Sequence, residues 1–238
     1  MAAYDEQLLL NFGNRFLGFG SLNSPVWLIG PEPGGGEDVN EVYLRASLWS
    51  KRGMKETEEL HGYHAGLGID WTGKIQPTWG ALIKVLLSFR NRAADKAAVL
   101  DFQKNELGKS DGENCVLELC PLSSPSESVW RLGELGFRWL GSRSDYEAFW
   151  IPKRSKLIRE KVDSYKPKLV LFYGKRRWED ISGLHFSPTR IPQLLLAPGE
   201  HTMFAVMPHP LGLRIPGKGA VNHLLAKIGR TLRDVLAS

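Results

Sequence analysis

The sequence predicts an α/β fold, a parallel sheet with helices on both faces, and three observations predict it. Four short apolar runs, at about 25–29, 115–119, 168–173 and 203–207, are rich in Val, Leu and Phe and flanked by Gly or Pro. Their hydrophobicity is continuous rather than alternating, as expected of strands covered on both sides. Helical patterns lie between them, and strands alternating with helices build a parallel sheet.

The first run ends in the turn Gly30-Pro31-Glu32-Pro33-Gly34-Gly35-Gly36. Residues 50–77 read as a long irregular segment, charged at first and then carrying His61, Tyr63, His64, several glycines and Trp71. Thr78 is placed to cap a helix that buries Trp79, Leu82, Ile83, Leu86 and Phe89. The second run leads into Cys115-Val-Leu-Glu118-Leu-Cys120-Pro. Ser144 and Glu147 have the spacing of a capping box ahead of Phe149 and Trp150. Pro152 is expected to kink or restart that helix, which continues through Leu157, Ile158 and Val162. The last run ends at Pro208-His209-Pro210, and a final helix buries Val221, Leu224, Leu225, Ile228, Leu232 and Val235.

A chain of 238 residues suits one large α/β domain, here 1–238, and is awkward for two. Hydrophobic content of 42% and charged content of 24% are those of an ordinary globule. No apolar run approaches the ~18 residues that span a bilayer, and the start has neither the basic nor the apolar region of a secretory leader. The expectation is a cytoplasmic protein, nuclear in a host with a nucleus, with no membrane partner. The two cysteines, Cys115 and Cys120, share one strand and its exit, which disfavours a disulfide between them. They are too few for a four-cysteine iron–sulfur cluster, and the reading is of two structural thiols.

The net charge of +5 is compatible with a polyanionic partner without identifying one. Its distribution says more. Lys153, Arg154, Lys156, Arg159 and Lys161 crowd one segment, Lys175, Arg176 and Arg177 follow the third run, and Arg214 and Lys218 follow the histidine loop. A charge run is often only a solvated face, but the last two groups flank expected site loops.

The chemistry lies in two short segments. Val26-Trp-Leu-Ile-Gly-Pro-Glu32 and Ala205-Val-Met-Pro-His209 each run from an apolar strand to one polar side chain at the carboxyl edge, where open α/β sheets place their ligands. A carboxylate and an imidazole on one cleft suit the breaking of a glycosidic bond. The first stabilises a cationic sugar and orients water; the second steadies the departing anion. Prolines on both sides of Glu32 restrict its backbone, and the glycines after it let a polymer backbone approach. Gly34-Gly35-Gly36 lacks the Gly-Lys-Ser/Thr ending of a nucleotide-phosphate loop. His61 and His64 have ligand-like spacing but no obvious carboxylate or cysteine partner, so no metal is expected.

These segments resemble the two motifs of the uracil-DNA glycosylase superfamily, a Gly-x-(Asp/Glu/Asn)-Pro-(Gly/Tyr) turn after the first strand and a His-Pro-rich loop after the last. Cys115-Val-Leu-Glu-Leu-Cys-Pro-Leu122 is similar to the base-reading strand of the single-strand-selective branch. Lys166-Pro-Lys-Leu-Val-Leu-Phe-Tyr-Gly174 is similar to the strand before the second motif, especially in the thermostable branch. The likeness spans roughly 17–236, with its short motifs in the family's order. It implies a four-stranded parallel sheet in a three-layer α/β/α sandwich. It also implies a monofunctional DNA glycosylase that needs no cofactor, acts as a monomer on single- or double-stranded DNA, and leaves an abasic site.

By this likeness Glu32 and His209 are the catalytic pair, and Gly30, Pro33 and Gly34 shape the turn around the substrate. Two departures stand out. Glu118 occupies the place of an Asn that reads uracil, and an ionised carboxylate only accepts where an amide also donates. Either the substrate is not plain uracil, or Glu118 is protonated in a dry pocket, or the register is shifted and Asn114 matters. The serine usual after His-Pro is absent; Leu211 or Leu213 is placed to fill the gap left by a flipped nucleotide. Tyr43 and Trp49 are candidates to stack on the base. Lys175, Arg176, Arg177, Arg214 and Lys218 are the expected DNA contacts. Two other classes compete: a nucleic-acid-binding protein of this fold with altered catalysis, and a hydrolase using Cys120 with His209.

Overall fold

The computed structural model describes residues 4–126, 128–174, 178–217 and 219–237. In chain order the strands are β1 Gly18–Gly20, β2 Val26–Gly30, β3 Thr57–Glu58, β4 Asn114–Glu118, β5 Leu169–Tyr173, β6 Ser187–Pro188, β7 Leu195–Pro198 and β8 Met203–Met207. The helices are α1 Glu6–Arg15, α2 Val39–Lys51, α3 Leu60–Gly66, α4 Pro77–Phe89, α5 Lys96–Asn105, α6 Arg143–Tyr165, α7 Trp178–Ser182 and α8 Ala220–Ala237. The protein is α/β, with helices on both faces of one sheet.

That sheet is mixed and eight-stranded, in the order β3-β1-β4-β2-β5-β8-β7-β6, rather than four-stranded and parallel. The four apolar runs form its parallel centre, β4-β2-β5-β8. The strands outside that centre are two to four residues long; β1, β3 and β6 have no apolar run, while β7 overlaps the short apolar run 194–197, which is not among the four expected strands. β1 pairs antiparallel with β4 and lies so close that a Cβ on Gly18 would sit 2.1 Å from the Val116 carbonyl oxygen. β7 turns back antiparallel on β8 and carries β6 at the far edge.

Successive residues of the central strands serve opposite cores, as strand geometry requires. Trp27, Ile29, Cys115, Leu117, Val170 and Phe172 pack under α1, α2 and α6. Leu28, Val116, Leu171, Tyr173, Ala205 and Met207 pack under α4, α5 and α8.

Three local expectations change. The segment 50–77 is not irregular throughout: it contains β3 and α3. α4 is capped by Gln76, whose side chain accepts from the Trp79 amide, and Pro77 takes the first helical position, where its missing N–H costs nothing. Thr78 is inside the helix. α6 is capped by Ser142, which accepts from the Asp145 amide, so the capping pair lies two residues earlier than Ser144 and Glu147. Pro152 remains within this 23-residue helix; buried Trp150 and Arg154 hold the turns on either side of it.

α4 and α8 cross closely at Gly229, where a Cβ would lie 2.3 Å from the Val85 carbonyl oxygen and 2.8 Å from the Ser88 Cβ. Helix propensity alone would make Gly229→Ala stabilising by about 1 kcal/mol. The overlap with backbone outweighs it, and a net loss of about 1–3 kcal/mol is expected, read as a lowered Tm. An unchanged or raised Tm would mean that the helices separate at no cost. Among the described residues, no helix is long and apolar enough to cross a membrane.

Candidate active site

Because β2, β4, β5 and β8 are parallel, their carboxyl ends meet at one edge. Backbone hydrogen bonds join the loops that leave it. The Leu119 amide donates to Gly30 O and the Cys120 amide to Pro31 O, both at 2.9 Å; the Ser124 amide donates to Pro33 O at 3.3 Å and the Gly174 amide to Met207 O at 3.1 Å. Gly30 is required here: a Cβ would fall 2.3 Å from Glu118 Oε2 and 2.4 Å from the Tyr173 hydroxyl. Its missing side chain leaves the space in which those two groups lie.

Glu32 does not stand open to the cleft. Its side chain is 9% exposed and is held by Arg143, whose Nη1 donates to Oε1 at 3.1 Å and to Oε2 at 3.0 Å. Arg143 is the first residue of α6. Its Nη2 donates to Ser124 Oγ at 2.6 Å and to Ser126 O at 2.7 Å, and its guanidinium lies 5.0 Å from the centre of the Trp130 ring.

Glu118 ends β4 beside this pair. The residue keeps some exposure, but its Oε2 is sealed and has no hydrogen-bond partner among the described residues. The Tyr173 hydroxyl donates to Oε1 over a long 3.4 Å. Burial pushes the Glu118 carboxyl up to about 8, and the Glu32 charge adds to the rise; the Tyr173 hydrogen bond and the more distant Arg154 charge only partly oppose it. Buried Arg154 gives its hydrogen bonds to the carbonyls of Leu119, Gly13, Phe16 and Glu118, not to the Glu118 carboxylate. At neutral pH Glu118 is therefore a neutral acid, able both to donate and to accept.

His209 follows β8, with its ring centre 5.8 Å from that of Tyr173. Its Nδ1 accepts from the Leu211 amide at 3.3 Å, which caps the short turn Pro210–Gly212 and leaves Nε2 as the proton-bearing nitrogen of the neutral ring. Tyr173 thus lies between Glu118 and His209. Leu211 is 49% exposed, whereas Leu213 is 8% exposed and packs in the core, so only Leu211 is placed as an apolar wedge. Arg214 is exposed and donates to Leu211 O at 2.8 Å, bracing the same turn.

Other sequence readings find different places. Tyr43 is spent on α1: its hydroxyl accepts from the Asp5 amide at 3.2 Å and its ring meets Tyr4 edge-on at 5.1 Å. Trp49 is fully buried, with its indole N–H on Lys55 O. The aromatic rings sharing an apolar pocket with Glu118 and Pro33 are instead Phe12, Phe16, Phe19 and Tyr63. Gly34 has open space around it, while the Gly36 amide is taken by Glu41 Oε2 at 3.0 Å. Asn114 begins β4 at the opposite edge and is fully buried, bonding the Gly108 amide and Glu106 O. It cannot read a base at the carboxyl edge.

The basic segment 153–161 also points elsewhere. Arg154 is internal, Lys153 lies over the Phe149 ring at 3.3 Å, and Lys161 pairs with Glu56. α6 starts at the site and runs back toward the start of β5, which carries Lys156, Arg159 and Lys161 away from the cleft. Lys175, Arg176, Arg177 and Lys218 lie outside the described residues.

His61 and His64 are satisfied by the carbonyls of Gln103 and Leu60, and burial pushes His64 down to about 4. Among the described residues no group of three or more His, Cys, Asp or Glu is arranged to hold a metal ion. Cys120 is fully buried, which leaves a thiol hydrolase without access to its nucleophile. Both cysteines are buried, and burial raises the Cys115 thiol well above its ordinary range.

The chain matches no protein-family model and no curated protein. Arg143 and the four pocket aromatics lie outside the sequence motifs, and Tyr173 lies within one but has no role assigned there. Tyr173 was open to inference as the last residue of an apolar run at the carboxyl edge. Arg143 stands 111 positions from Glu32, with no motif around it.

Proposed function

We propose that the protein is a monofunctional DNA glycosylase of the uracil-DNA glycosylase kind, acting as a monomer without a cofactor and leaving an abasic site. The observation that carries this reading is the meeting, at one strand edge, of a carboxylate held by a guanidinium and a second carboxyl buried with one oxygen unpartnered among the described residues. Environments that set two acids in opposite states assign them opposite roles. Glu32, anionic, supports positive charge on the sugar and orients water. Glu118, as a neutral acid lining the same pocket as Pro33, is the group that reads the base edge.

In the reaction the C1′–N bond breaks and its electron pair leaves with the base. His209 Nε2 donates to the base carbonyl oxygen as that charge grows. Water adds its oxygen to C1′, and its proton passes toward Glu32. Leu211 enters the stack in place of the flipped nucleotide. The electrostatics suit a polyanion: Arg143 offsets Glu32, and a neutral Glu118 adds no second charge to repel phosphates.

The test is a panel of oligonucleotides, single- and double-stranded, carrying uracil, hypoxanthine, xanthine, hydroxymethyluracil or modified cytosines, with alkali cleavage to reveal abasic sites. An abasic product from at least one is expected. Binding should weaken with salt, with a log–log slope of about 0.7–0.9 for each phosphate neutralised. The ion pair on Glu32 also favours a second reading, a DNA-binding protein in which this carboxylate only ties loops together. Salt-sensitive binding with no abasic product from any oligonucleotide would favour it.

A further inference from the structure

We propose that Arg143 is the positioning residue of this site, fixing the Glu32 carboxylate at the carboxyl edge of the sheet from the first turn of α6. The inference rests on the glycosylase reading and names what sets its anionic group.

Three observations carry it. The first is geometric. One guanidinium nitrogen bridges both Glu32 oxygens, at 3.1 and 3.0 Å, while the other is anchored on Ser124 Oγ at 2.6 Å and Ser126 O at 2.7 Å. A planar guanidinium held at one nitrogen fixes the direction of the other. The Trp130 ring lies 5.0 Å from its carbon, and that indole is itself pinned by its N–H on Leu140 O at 2.9 Å. The loops after β2 and β4 and the start of α6 are thereby locked as one unit.

The second is energetic. A cation in the first turn of a helix faces the positive end of the helix dipole and is disfavoured there. Arg143 occupies that first position, so its placement does not serve the helix. The opposing charge of Glu32, with Glu147 behind it at 3.7 Å, compensates.

The third is selectivity. The site holds two acids, and Arg143 pairs with one of them. Arg154, the other buried cation nearby, spends its donors on backbone carbonyls. Of the two acids at the strand edge, Arg143 therefore holds Glu32 and gives no hydrogen bond to Glu118.

The experiment compares wild type, Arg143→Ala and Arg143→Lys on the best substrate of the oligonucleotide panel. Arg143→Ala is expected to lower kcat on the order of tenfold to a hundredfold while KM changes little, the signature of a misplaced catalytic group. Guanidinium ion, added well below denaturing concentrations, should restore part of the lost kcat. Arg143→Lys should fall between the two, since an ammonium supplies the charge without the planar fork. A crystal structure of Arg143→Ala should show Glu32 displaced with Glu118 and Tyr173 in place. Unchanged kcat, or an unmoved Glu32, overturns the proposal. So does a loss that guanidinium does not relieve and that appears equally in KM and Tm, because that marks structural support alone. A wild type that releases no base falsifies the glycosylase reading itself, and is seen before any variant is made.

Discussion

Replacing Glu32 by Gln should slow base release by on the order of 100-fold or more and leave DNA binding nearly unchanged. The amide keeps the shape of the carboxylate and one acceptor toward Arg143, so the loops stay tied. It loses the negative charge that pairs with Arg143 in the resting protein and that the sugar draws on as it becomes cationic. An interaction that strengthens on the way to the transition state appears in kcat rather than in affinity. His209→Ala should act alike, because the donor aimed at the leaving base is also used mainly as charge develops there; such donors are typically worth about 3 kcal/mol. The measurements are single-turnover release, DNA affinity and Tm for each variant. Full activity in both variants would remove Glu32 and His209 from the reaction. A fall in Tm alone for Glu32→Gln would assign the Arg143 ion pair to stability.

What could be read from the sequence follows from how local each feature is. The four central strands are legible because burial on both faces demands an unbroken apolar run. β1 and β6 are not, since their residues are chosen by pairing and close approach rather than by burial; Gly18 against the Val116 carbonyl is the clearest case. Helix bodies were legible from their periodicity, but the caps are supplied by Gln76 and Ser142 rather than by Thr78 and Ser144. At the site, Glu32, Glu118 and His209 were legible because each ends a buried strand. The partner of Glu32 was not, because contact between residues 32 and 143 is made by the fold. Tyr43 and Trp49 were misplaced for a related reason: distance along the chain from a motif does not say which helix face a ring occupies. Each cation in the 153–161 run had to be judged by the direction of α6, which composition does not carry.

Glu118 is expected to give base release an alkaline limit that Glu118→Gln abolishes. With the carboxyl pushed up to about 8, the neutral form prevails at pH 7 and the ionised form above pH 8. The neutral acid pairs with a base edge that presents both a donor and an acceptor; the anion only accepts and repels a base carbonyl. Release of a uracil-like base should therefore fall about tenfold for each pH unit above that value, as the competent form is depleted. The amide of Glu118→Gln donates and accepts at every pH in this range, so its profile should stay flat where wild type declines. Glu118→Asn places a shorter amide in the same position and should extend release of a uracil-like base to alkaline pH, where the wild-type anion discriminates against it. Mismatched bases leave buried polar groups unpaired, so this discrimination can reach the order of 10⁴. Stability gives an independent reading of the same proton. A carboxyl whose pKa is higher in the folded state than in the unfolded one binds more protons when folded. Stability should then decline as pH rises from about 4.5, the unfolded value, to about 8, and level off above it. Glu118→Gln removes that slope and should be the more stable protein at pH 9, by on the order of a few kcal/mol, and not at pH 4. An alkaline limb of equal position in wild type and Glu118→Gln, with parallel stability curves, would show that the carboxyl is ionised at neutral pH and does not present a donor to the base.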